Sequence, residues 1–442
     1  MLIQFSVRNF RTFKEKATLN LLASNYDKET RKEENIAEDN KFNINILKSA
    51  VVYGANASGK SKLIDALMFM QEFVTKSSKD SQKGELIHVQ PYRLSDDTEN
   101  SPTEFEVIFT YKNIMYRYGF EVDKKLVVSE WLFQRAKVKE VELFYRDFQN
   151  FETHSRSFTK SKTIIKEGLV RNNALLLSVA SQFNEEIATL VLTWFQDLKI
   201  ISGLQESGFK NNTIEKIKDK KEKIKILNLL KAADFGIQDI NYEEFAFDGI
   251  SDDVKIKIKE LKESMKEFDP EAFSDVSTLH TKYDADKKKI GEVKFSVQRD
   301  ESNGTKKFLY LTGTLIDILE NGGILIADEL DSKLHPNLVC KIVSLFNSKE
   351  LNPKNAQILF NTHDTNLLSS GLFRRDQIWL IEKNKYGEAQ LYSLADFKSD
   401  TVRKTEAFEE NYINGKYGAI PFLGFFDNLI YNNSLLKDEN EK

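Results

Sequence analysis

Residues 54 to 61 read GANASGKS, a full match to G-x-x-x-x-G-K-[ST], between the apolar run SAVVY and the stretch KSKLIDALMFMQEFV. Each residue type has a chemical reason. Gly54 and Gly59 let the backbone curl so that successive N–H groups point at one anion. Asn56, Ala57 and Ser58 fill the loop between them, and Lys62 carries it into the helix; all are counted with the phosphate-binding residues. A helix starting near Lys60 adds its positive N-terminal end. Lys60 is expected to bridge β- and γ-phosphates, and the Ser61 hydroxyl to ligate Mg²⁺. A chance match is expected about once in a hundred chains of this composition, before strand and helix context is required. The expected ligand is therefore ATP with Mg²⁺.

Two further stretches end apolar strands on polar groups. In ILIADELD, 324 to 331, Asp328 stands where a buried parallel strand emerges, placed to hold the Mg²⁺ water shell. Glu329 follows it, placed to orient or deprotonate an attacking water. In ILFNTHDT, 358 to 365, one of only five histidines stands at the mouth of a strand. Alone, His363 could be a metal ligand, a catalytic group or a satisfied core residue. Parallel strands joined by right-handed crossovers expose their C-terminal ends on one sheet edge, where the phosphates would lie. That placement favours a γ-phosphate sensor. Zinc is disfavoured, because His335 and His363 lack ligand spacing and no cysteine cluster exists.

The elements that must position these groups follow from patterning. The first 150 residues are mostly strand-like (LIQFSVRNF, KATLNLLA, TEFEVIFTY, IMYRYGFEV, VVSEWLFQR). One helix interrupts them, with Leu63, Ala66, Leu67 and Met70 on one face. From about 166 to 234 helices take over, among them NEEIATLVLTWFQDL and the Lys-rich IEKIKDKKEKIKILNLLK. Residues 252 to 268 read as another amphipathic helix, and VSTLHTKYD with GEVKFSVQ as a hairpin around ADKKKI. From 300 onward helix and strand alternate, as in a parallel α/β lobe. With 442 residues, 40% hydrophobic and 30% charged, the chain has ample material for a core. A net charge of −4 gives no global argument for nucleic-acid or membrane binding. The single Cys340 excludes an internal disulfide framework. No apolar run approaches the roughly 18 residues that span a bilayer, and Arg8 and Arg11 come too early for a signal peptide. The expected location is the cytoplasm.

With these residues placed, the chain resembles the ABC-type ATPases of the SMC/RecF/OLD branch. GANASGKS is similar to that branch's G-x-N-G-x-G-K-S, with Asn56 kept and Ala57 where glycine is commoner. LIQFSVRNFRTFKE resembles its opening hairpin, and ESNGTKKFL, 301 to 309, its signature motif. The resemblance implies an α/β fold: an ABC-type P-loop ATPase head with an antiparallel β N-lobe, a parallel α/β core and a helical insertion. The corresponding divisions are 1–165, 166–290, 291–400 and a tail 401–442. It implies that Ser302 and Gly304 contact ATP bound to a second subunit, that Asp331 belongs to the D-loop and that His363 is the switch histidine. Gln90, in IHVQPYRL, stands as the Q-loop metal-site residue. Within the branch, GANASGKS, THDTNLL, RRDQIWLIEK and NGKYGAIPFL resemble the RloA/AbiLi group of bacterial antiphage ATPases. That likeness implies a slow, regulatory ATPase acting as a homodimer or an assembly of dimers. It also implies a separately encoded effector, RloB-like or a nuclease, as partner. DNA or RNA stays open as a partner, and the alternative is a RecF-like DNA-binding repair ATPase. Too few residues follow His363 for the Toprim nuclease of OLD proteins, and no membrane partner is implied.

Overall fold

The computed structural model describes residues 1–79, 84–154, 156–202, 207–244, 274–398 and 406–421, with residues 82 and 257 singly. The helix expected at 252–268 falls outside them apart from residue 257, as does most of the apolar tail stretch.

Alternation in the first third produces a seven-stranded antiparallel sheet. It comprises β1 (Leu2–Arg8), β2 (Ala17–Asn20), β6 (Thr103–Tyr111), β7 (Ile114–Val122), β8 (Val127–Arg135), β9 (Val141–Asp147) and β10 (Asn150–Thr153), in the order β10-β9-β8-β7-β6-β1-β2. A small hairpin of β3 (Ile36–Asp39) and β4 (Ile44–Leu47) lies beside it in sequence.

The second sheet has six strands in the order β11-β15-β16-β5-β17-β18. They are β5 (Ser49–Gly54), β11 (Leu198–Ser202), β15 (Ile324–Asp328), β16 (Gln357–Asn361), β17 (Ile378–Lys383) and β18 (Ala389–Ser393). All neighbours pair parallel except β17 with β18. The P-loop strand and the Asp328 strand are thus separated by the strand leading to His363. β11 was not expected: it lies in a region read as helical, because QDLKIIS follows a strongly helical pattern and is too short to announce a strand by itself.

Successive residues of this sheet feed two cores. Ala50, Val52, Ile324 and Ile326 pack into a core shared with the antiparallel sheet. Val51, Tyr53, Leu325 and Ala327 pack into a second core on the opposite face. Burial on both faces is what near-continuous apolar strands require. Between the two sheets lies α1 (Lys60–Lys76), with Leu63, Ala66, Leu67 and Met70 buried as expected. The helices α2 (Leu176–Gln182) and α3 (Glu186–Asp197) join the same core. On the far face lie α4 (Ser207–Lys218), α5 (Lys220–Ala232), α6 (Asn303–Asn321) and α7 (Pro336–Asn347). The Lys-rich stretch read as one helix is broken into α4 and α5, because the Asp219 carboxylate accepts the N–H groups of Lys221 and Glu222 and starts a new helix. β13 (Ser274–Tyr283) and β14 (Lys289–Ser296) form the expected hairpin, and β12 (Ile237–Glu244) completes a three-stranded sheet.

Candidate functional site

The C-terminal ends of β5, β15 and β16 meet on one edge, where every chemistry-bearing stretch leaves the sheet. Gly54 ends β5 against β17 so closely that a Cβ would collide with the Ile381 carbonyl. Gly59, at φ +121°, would place a Cβ 2.8 Å from Thr12 Oγ1. Ala57 holds the left-handed region at φ 61°, which explains why glycine is the more comfortable residue there. Asn56 and Ala57 are exposed, whereas Ser58, Gly59 and Lys60 are buried. Ser58 Oγ is buried without a partner among the described residues. The loop therefore has the shape of an anion cradle and a polar atom to spare.

Lys60 is only 6% exposed. Its Nζ donates to the carbonyls of Gly54 (2.7 Å) and Ala55 (3.0 Å) within its own loop. Burial pushes its pKa down to about 8, opposed by the carboxylates of Glu329, Asp328 and Asp331. Three acids from the β15 edge thus bear on the P-loop cation. Ser61 is half-buried at the helix start. Lys62 turns instead to Asp65 one turn on, at 2.9 Å, and Asp65 also pairs with Arg11.

The acids are held by a residue that sequence reading passed over. Asn361, 1% exposed at the end of β16, donates Nδ2–H to Asp328 Oδ1 and accepts the Glu329 N–H, each at 2.5 Å. Its main-chain carbonyl accepts from Leu330 at 3.4 Å. Glu329 itself sits at φ 53°, a conformation that persists for a glutamate only when neighbours fix it. The available signal was an Asn capping an apolar strand next to the acidic one.

His363 lies just past β16 and is exposed, which removes the buried core reading. Its main-chain N–H donates to Asp331 Oδ2 at 3.3 Å, while Asp331 Oδ1 is buried with no partner among the described residues. Tyr53 donates its hydroxyl proton to the Asp364 carbonyl at 3.0 Å, tying the P-loop strand to the His363 loop.

The SNGT stretch starts α6. Ser302 Oγ accepts the Thr305 N–H at 3.1 Å, an N-cap, yet the residue stays exposed. Gly304 lies against the loop that follows the β15 acids: a Cβ would sit 2.7 Å from the Lys333 carbonyl. Lys307, buried in the same helix, donates Nζ–H to the carbonyls of Leu330 (3.1 Å), Ser332 (2.5 Å) and Glu329 (3.4 Å). The start of α6 and the acidic loop of one chain are therefore tied together by hydrogen bonds. Lysine inside the apolar run KKFLYL was the clue to this clamp. Gln90 is exposed, and it is its carbonyl that the structure engages, accepting the Arg11 N–H at 2.9 Å.

Among the described residues no group of three or more His, Cys, Asp or Glu side chains could cage a metal. The donor set, one hydroxyl and one carboxylate beside a phosphate cradle, suits Mg²⁺, which keeps waters and binds largely through phosphates. No described helix is long and apolar enough to cross a membrane.

The family described as "AAA domain, putative AbiEii toxin, Type IV TA system" matches residues 49–369. Among solved structures, the chain is similar to the SMC head domain from Thermotoga maritima, at 11% identity and a TM-score of 0.39, covering 89% of this chain and 98% of that one. Comparison with curated proteins returns no match.

Proposed function

The chain belongs to this AAA-domain family, and from that premise we propose an ATP hydrolase with two sites built between two copies. We read it as controlling a separately encoded toxic effector in antiphage defence. The observation that carries the reading is that the GANASGKS loop, with its buried Lys60, and the Asp328–Glu329 end of β15 leave the parallel sheet on one edge. A cation withdrawn from water and faced by strand-end acids is arranged for a phosphate chain and its metal.

In this reading Lys60 releases the Gly54 and Ala55 carbonyls and takes the β- and γ-phosphate oxygens, while the loop N–H groups and the α1 N-terminus hold the rest. Ser61 and Asp328 would hold Mg²⁺, which supplies charge neutralisation on those oxygens. Glu329, kept in place by Asn361, accepts a proton from the attacking water. The water oxygen bonds to the γ-phosphorus as the bond to the β–γ bridging oxygen breaks, leaving ADP and phosphate. His363 supplies a donor to the γ-phosphate as its charge is redistributed. Ser302, exposed at the start of α6, supports a role on the ATP of a second copy, since anions favour helix N-termini.

Glu329→Gln removes the base and keeps the shape. With ATP and Mg²⁺ it is expected to bind nucleotide without turnover and to run as an ATP-dependent dimer or larger assembly on sizing. A variant that hydrolyses ATP normally, or stays monomeric at saturating ATP, would contradict the proposal.

A further inference from the structure

Glu301, immediately before Ser302, is fastened to the three-stranded sheet of β12, β13 and β14. Its Oε1 accepts from Thr278 Oγ1 at 2.5 Å and lies 2.7 Å from His280 Nε2. Thr278 and His280 are two apart on β13 and so share one face of the strand. Thr278 is fully buried, and the His280 and Glu301 side chains are 19% and 9% exposed. The imidazole packs on Phe295 of β14, ring centroids 4.7 Å apart. A second set of bonds anchors the short helix Val297–Asp300 that leads to Glu301: Ser296 donates its hydroxyl to Asp275 at 3.0 Å and its N–H to Asp300 at 2.7 Å.

The other side of the same helix start is gripped by Lys307 on the Leu330 and Ser332 carbonyls. Ser302 thus stands between two clamps. One belongs to its own chain's acidic loop and the other to the three-stranded sheet. Releasing the second breaks no hydrogen bond of the P-loop, Asp328 or Glu329, because among the described residues none of their bonds runs to β13.

We infer that Thr278 and His280 are positioning residues that, through Glu301, set Ser302 for the ATP of a second copy. The three-stranded sheet is thereby a lever on the neighbouring site and not on its own. This rests on the shared-site reading above. A partner that displaces the β13–β14 hairpin would change turnover in the other subunit while nucleotide affinity stayed constant.

The test uses the full-length chain. In a Glu329→Gln background, ATP-dependent association is first measured with the trio intact; its absence refutes the shared-site reading and this inference together. His280→Ala is then added. Association that weakens at least tenfold, with ATP affinity within twofold, is expected; association that persists unchanged refutes this inference alone. With Glu329 intact, His280→Ala should turn over about tenfold slower at unchanged KM, since small misplacements of a reacting arrangement cost that much or more. His280→Gln, which keeps a donor, should recover most of the rate, and Thr278→Val gives an independent arm with the same direction. Mixing His280→Ala with Lys60→Ala chains should raise turnover above that of either alone, because the hybrid pairs an intact P-loop with an intact Ser302 start. Failure of the mixture to exceed its components would show that His280 acts within its own subunit and would overturn the assignment.

Discussion

Replacing Asn361 by Leu tests whether one buried amide organises the acidic edge. Leu has the same number and branching of side-chain heavy atoms, so the change removes two hydrogen bonds more than it removes packing. The Glu329 N–H loses its acceptor and Asp328 loses its donor. An unsatisfied buried donor costs about 1–3 kcal/mol, and a bond to a charged group contributes about 1.5–3 kcal/mol. Asp328 is half-buried and recovers water, so the lower ends apply and the sum is about 2.5 kcal/mol. At about 2 °C per kcal/mol for a large chain, the thermal midpoint should fall by about 5 °C. Turnover should fall further than stability implies, by about 100-fold, because Glu329 is released from its left-handed backbone position. Asn361→Asp separates geometry from packing. It keeps the shape and the acceptor for Glu329, yet sets a carboxylate against Asp328, so it should be no better than Leu. The assays are thermal unfolding without nucleotide and steady-state ATP hydrolysis. Wild-type turnover in Asn361→Leu, or near-wild-type behaviour of Asn361→Asp, would refute this account of how the acids are held.

Lys60, with a pKa of about 8, is about half protonated at pH 8, and a bound phosphate chain favours the charged form. ATP binding at that pH should therefore take up about half a proton per site, measured by calorimetry in buffers of different ionisation enthalpy. Because the folded pKa is lowered, the affinity for ATP should weaken as pH rises through 8 toward 10, and Lys60→Ala should abolish both uptake and binding. His363→Ala should lower kcat more than ATP affinity, since a γ-phosphate sensor matters most where charge is redistributed; equal turnover would leave His363 without that role.

Much of this arrangement was legible in the sequence because its parts are local. SAVVYGANASGKS, ILIADELD and ILFNTHDT each carry strand, turn and functional group in one short stretch, so their placement on one edge followed from parallel pairing. What was not legible depends on distant contacts. Asn361 gains its role only from lying beside β15, 33 residues away in sequence from Asp328. Lys307 matters because its helix start packs on a loop 22 to 25 residues later. β11 is a strand because an edge position beside β15 awaits it, not because five residues after a helix demand it. The break at Asp219 was readable as a cap, but the surrounding Lys/Glu periodicity masked it.

The central claim is that each ATP is completed by a second copy of the chain. Its most direct test mixes two inactive variants, Lys60→Ala, which lacks the phosphate lysine, and Ser302→Arg, which blocks the exposed start of α6. Hydrolysis is measured for each alone and for the equimolar mixture. Random pairing gives half hybrids, each with one intact composite site, so the mixture should recover about a quarter of wild-type turnover per chain. Ser302→Arg active by itself, or a mixture no more active than its components, would contradict the claim.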